Sequence, residues 1–86
     1  MAKRNVVLVV DDDVVARTMV VALLRAAGLD VLEAGDGTTA LKLAVERRPN
    51  LILLDLGLPG MDGFDVCARI RARDEIGETP ILVMTG

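Results

Sequence analysis

Long hydrophobic runs, aromatic residues, cysteines and blocks of like charge are all scarce in this chain, and each scarcity removes a class of function. The longest apolar stretches are of strand length, well short of the roughly 20 residues a membrane helix needs. Met1 to Asn5 leads directly into the first of them, so neither a signal peptide nor a membrane span is expected. Phe64 is the sole aromatic residue. The core must therefore be built from Val, Leu, Ile, Ala and Met, and no platform exists for stacking nucleobases. No run of Lys and Arg exceeds the pairs Lys3-Arg4 and Arg47-Arg48, and 10 basic against 13 acidic residues leave a net charge of -3. Direct nucleic-acid binding by this segment is not expected. One cysteine, Cys67, rules out an internal disulfide and fits a reducing, cytoplasmic setting. Its place among apolar residues of a helix suggests an inert, buried thiol.

What is present is a regular alternation of short apolar runs and amphipathic segments. Val6 to Val10 is β-branched and uninterrupted, the signature of a strand covered on both faces. Asp13 suits a helix N-cap, and Val15, Met19, Ala22, Leu23 and Ala26 recur at helical spacing from Val14 to Ala27, with Gly28 as the stop. Leu29 to Glu33 gives a second strand. Asp36-Gly37-Thr38 is turn and cap chemistry before a helix with the stripe Ala40, Leu41, Ala44 and Val45, which ends ahead of Pro49. Leu51 to Leu54 is a third strand, Asp62 or Gly63 opens a third helix running to about Arg73, and Pro80 leads a fourth strand, Ile81 to Met84. Met61 and Phe64 are expected to pack inside. The order βαβαβαβ in 86 residues predicts one α/β domain with a parallel sheet and right-handed crossovers. Ligands of such sheets bind beyond the carboxyl ends of the strands.

Acids concentrate at those ends. The first strand runs into Asp11-Asp12-Asp13, and the third delivers Asp55 into the loop Leu56 to Gly63, rich in Pro and Gly. Neighbouring strands would bring three or four carboxylates together, a cluster that repels itself unless a cation sits in it. The hard, oxygen-seeking cation matching that ligand set is Mg²⁺. Asp62 could be read as a further ligand, but the helix N-cap role fits its position better. The pair Gly35 and Gly37 lacks the third glycine of a dinucleotide-binding fingerprint.

Taken in order, Val6-Val10-Asp11-Asp12, Leu51-Leu54-Asp55, the loop Leu58-Pro59-Gly60-Met61-Asp62-Gly63 and Val83-Met84-Thr85-Gly86 closely resemble a response-regulator receiver domain of two-component signalling. The resemblance spans the chain. It implies a flavodoxin-like, doubly wound parallel sheet of strand order 2-1-3-4, and Asp55 as the phosphoacceptor that takes a phosphoryl group from a histidine kinase or phosphotransfer protein. It further implies that Asp12, Asp55 and the backbone carbonyl of Gly57 bind Mg²⁺ directly, that Asp11 acts through a bound water, and that the Thr85 hydroxyl turns towards the phosphoryl group as a switch. Such a protein assists its own phosphorylation and is not a turnover enzyme.

The pattern also departs from the family. A fifth strand, the lysine at its end and the last two helices have no counterpart in residues 1–86, which on this reading form a receiver domain incomplete at its C-terminus. Lys3 and Lys42 do not match that lysine by order. Strand four would then be an apolar sheet edge, and homodimers or aggregates through it are expected. The alternative function is a receiver-like module incapable of phosphorylation that works by protein-protein interaction. A hydrolase of the haloacid dehalogenase type fits poorly, because it needs a second Asp two residues after the nucleophile and Gly57 stands there.

Overall fold

A computed structural model describes residues 5–84. Four strands, β1 (Val6–Val10), β2 (Asp30–Ala34), β3 (Leu51–Asp55) and β4 (Ile81–Met84), alternate with three helices, α1 (Val14–Ala26), α2 (Gly37–Arg47) and α3 (Gly63–Arg71). All strand pairs are parallel and the sheet order is β2-β1-β3-β4, as expected for the flavodoxin-like receiver fold. Among the described residues no helix is long and apolar enough to cross a membrane.

Alternation along the strands sorts the side chains into two cores. Leu8, Val10, Ile52 and Leu54 face α2 and α3, where they meet Ala40, Ala44, Val66 and Ile70. Val7, Val9 and Leu53 face the other way, towards Val21 of α1. Because both faces are covered, β1 and β3 read in the sequence as unbroken apolar runs rather than as alternating ones.

Each helix begins on an aspartate. The Asp13 carboxylate accepts from the N–H groups of Val15 at 3.0 Å and Ala16 at 3.3 Å, Asp36 from Thr39 at 2.7 Å, and Asp62 from Asp65 at 2.9 Å. The bonds from the Thr39 backbone and hydroxyl hold the Asp36 carboxyl below its ordinary pKa. Gly28 follows α1 at φ 88°, the left-handed conformation expected of a C′ glycine.

Three readings from the sequence need correction. The stripe chosen for α1 faces solvent: Val15, Met19 and Leu23 are 62–71% exposed, and the residues turned to the sheet are Val20, Val21 and Leu24. Apolar side chains ring most of this helix, so periodicity alone did not single out the inner arc. Strand β2 starts and ends one residue later than expected, because Val6 pairs with Asp30 and Val10 with Ala34. Phe64 lies on the outer side of α3 and is exposed, whereas Cys67 is half-buried and packs against the α2/α3 core together with Met61.

Candidate functional site

Parallel β1 and β3 are neighbours in register, Val10 beside Leu54, so the residues that follow them emerge side by side at the carboxyl edge of the sheet. Asp11 continues the β1 ladder by donating its N–H to the Ala34 carbonyl at 3.0 Å. Its side chain is buried, and its Oδ1 accepts from the Asp13 N–H at 2.9 Å. The neighbouring Asp12 is exposed. Asp55, the last residue of β3, is half-buried and its Oδ1 accepts from the Gly57 N–H at 3.1 Å.

Carboxylate oxygens of Asp11, Asp12 and Asp55 all lie within 4.8 Å of one another. Asp13 and Asp62 stand apart from this group as helix caps, as the sequence indicated for both. Two unit charges about 4 Å apart repel by about 1 kcal/mol in water and about 4 kcal/mol near a protein surface. Burial raises the Asp11 pKa, the Asp13 N–H works against that rise, and the charges of Asp55 and Asp12 add to it. The strain is what a divalent cation relieves. An all-oxygen donor set of three carboxylates fits Mg²⁺ rather than a softer ion.

The loop after Asp55 is closed by two backbone bonds, Met61 N–H to the Pro59 carbonyl at 2.9 Å and Gly63 N–H to the Leu56 carbonyl at 3.1 Å. Gly60 takes φ 76° within it. A Cβ at Gly63 would fall 2.7 Å from the Leu56 Cα and 3.1 Å from the Asp55 carbonyl oxygen, so α3 can start this close to the end of β3 only with glycine there. The sequence marked Gly63 as a possible start of this helix and as part of the loop, but not as the point of closest approach to β3; its signal was the glycine directly after the capping Asp62. Arg17 was also missed. It bonds the backbone of Asp11, and its only trace in the sequence is a place on the same helical arc as Val20, Val21 and Leu24. Thr85 and Lys3 lie outside the described residues; Met84, which precedes Thr85, is paired with Asp55.

The chain matches the family model of the response regulator receiver domain over residues 7–86. It is 48% identical over 82 residues to the DNA-binding response regulator MtrA of Mycobacterium tuberculosis, an alignment covering 95% of this chain and 35% of that protein. It is 43% identical over 79 residues to the DNA-binding dual master transcriptional regulator RpaA of Synechocystis, covering 92% of this chain and 33% of the relative. The chain thus spans about a third of the length of these curated relatives. Among solved structures, the chemotaxis response regulator CheY4 of Vibrio cholerae superposes with a TM-score of 0.90 at 37% identity, over 94% of this chain and 68% of that one. The receiver domain of sensor histidine kinase PA1611 of Pseudomonas aeruginosa, whose structure holds a magnesium ion in its active-site cleft, superposes with a TM-score of 0.89 at 33% identity, over 94% of this chain and 66% of the other.

Proposed function

We propose, from the premise that this chain belongs to the response regulator receiver domain family, that Asp55 is its phosphoacceptor and that the acidic cluster around it is its Mg²⁺ site. The observation that carries this reading is the convergence of Asp11, Asp12 and Asp55 from two adjacent strand ends to within 4.8 Å. The chain is a signalling module of a response regulator, with a histidine kinase or a phosphotransfer protein as phosphodonor.

The Gly57 N–H pins Oδ1 of Asp55 and leaves Oδ2 as the attacking oxygen. A new bond forms from Oδ2 to phosphorus while the bond from phosphorus to the donor's imidazole nitrogen breaks, and the imidazole leaves with a proton from solvent. The product is an aspartyl phosphate. Asp12 and Asp55, with the backbone carbonyl of Gly57, would hold the cation directly, and Asp11 would hold it through water. When bound, Mg²⁺ neutralises the carboxylates and draws the phosphoryl oxygens to them. The Asp13 N–H keeps Asp11 turned into the cluster and partly offsets the cost of its burial. The role of Thr85 as a hydroxyl donor to the phosphoryl group rests on the family resemblance. A charge-assisted contact of this kind contributes about 1.5–3 kcal/mol, enough to shift a balanced conformational equilibrium.

The test is transfer of labelled phosphate from a phosphorylated histidine kinase to the chain, run with Mg²⁺ and with a chelator. Label is expected on the parent with Mg²⁺, and none on Asp55→Ala or in the chelated reaction. Equal labelling of parent and Asp55→Ala refutes the assignment.

A further inference from the structure

Three carboxylates held this close push each other apart, so the turn that carries Asp11 and Asp12 needs an anchor from behind. Arg17, one helical turn past the capping Asp13, supplies one. Its side chain is only 18% exposed and folds back beneath the β1–α1 turn. There Nη1 donates to the Asp11 carbonyl oxygen at 2.6 Å, and Nε donates to Glu33 Oε1 at 3.2 Å. A Cβ placed on Gly35 would lie 3.3 Å from Nη1, so the guanidinium fills the corner between the ends of β1 and β2. The planar fork is needed for this. One nitrogen reaches the backbone of β1's last turn while another is fixed by a carboxylate of β2, and a lysine ammonium is a single point that cannot span both.

We propose that Arg17 is a positioning residue for the acidic cluster: by gripping the Asp11 carbonyl with its fork locked by Glu33, it sets where the Asp11 and Asp12 carboxylates stand relative to Asp55. This inference rests on the reading of the cluster as a Mg²⁺ site. Arg17 touches neither the cation nor the phosphoryl group in this role. It acts through the backbone, as outer residues that orient metal ligands do.

The sign of the effect separates this role from plain electrostatics. Arg17 carries a positive charge beside an anionic site, so a role through charge alone predicts tighter Mg²⁺ binding when the charge is removed and no change when Lys replaces Arg. A positioning role predicts weaker binding in both variants. Mg²⁺ affinity is therefore measured by isothermal titration calorimetry on the parent, Arg17→Ala, Arg17→Lys and Glu33→Ala, with urea midpoints taken without metal and phosphoryl uptake from acetyl phosphate measured alongside.

The expected result is a loss of about tenfold in Mg²⁺ affinity for Arg17→Ala and Arg17→Lys, and a smaller loss in the same direction for Glu33→Ala. Lys keeps the charge and the aliphatic stem, so its urea midpoint stays near the parent's while its affinity falls; a purely structural role would be rescued by Lys in both. Should Arg17→Ala fail to fold, Arg17→Lys decides the matter, since Glu33→Ala removes an anion and would weaken cation binding through charge as well. A parent that binds Mg²⁺ while Arg17→Lys binds it equally well or better overturns this inference alone. A parent that binds no Mg²⁺ overturns the reading of the cluster and this inference with it.

Discussion

At the scale of single residues, Asp11 shows the tension between folding and function. Its carboxylate is buried, sits beside two other acids and is held by one backbone N–H. The folded chain binds a proton at Asp11 more tightly than the unfolded chain does, because the pKa is raised. From the ordinary carboxylate range up through that raised value, metal-free stability therefore falls as pH rises and recovers as pH falls. Asp11→Asn keeps the acceptor for the Asp13 N–H and removes the charge. It is expected to stabilise the metal-free fold at neutral pH by about 1 kcal/mol, or about 4–8 °C in melting temperature, to flatten the pH slope, and to weaken Mg²⁺ binding. Thermal melts of both proteins across pH 4 to 8, with and without Mg²⁺, check all three; a variant less stable than the parent without metal contradicts the account. The acids themselves could be found in the sequence because each stands at the end of an apolar run. Arg17 could not, since its bond is to a backbone carbonyl whose position depends on how the β1–α1 turn is folded.

At the scale of elements, the turn between β3 and α3 is the tightest part of the site. Gly63 begins α3 against the Leu56 backbone, and a methyl group there has no room. Gly63→Ala is expected to cost about 1–3 kcal/mol and to displace the loop carrying Gly57, slowing phosphorylation as well; urea unfolding and the rate of labelling are the measurements. A variant with an unchanged midpoint would show that the loop yields more easily than its bonds suggest. The elements were foreseeable wherever a residue has one local meaning. Aspartate caps and the glycine after α1 marked the helix starts and one end, and Pro80 marked the entry to β4. The inner face of α1 was not foreseeable, because VVARTMVVALLRA offers apolar residues on nearly every side and only packing on Val7 and Val9 decides between them. Phe64 misled in the same way: its hydrophobicity promised burial, yet its place in the first turn of α3 points it outward.

At the scale of the whole molecule, the parallel sheet followed from the βαβ alternation, whereas the order 2-1-3-4, and with it the meeting of β1 and β3 that makes the site, followed from the resemblance to receiver domains. Among the described residues β4 is an edge of the sheet, with Leu82 58% and Val83 40% exposed. Exposed apolar edges recruit other strands. The 86-residue chain on its own is expected to self-associate at micromolar concentration, and Leu82→Lys to shift it towards monomer; a single sharp monomer boundary for the parent in sedimentation velocity contradicts this. The central claim, that Asp55 is phosphorylated with the help of the Asp11 and Asp12 carboxylates, is tested most directly by intact mass. The chain is incubated with acetyl phosphate and Mg²⁺ beside Asp55→Asn, both shown to be folded. The account predicts one added phosphoryl group on the parent and none on the variant; no addition to a folded parent that binds Mg²⁺, or an equal addition to Asp55→Asn, would contradict it.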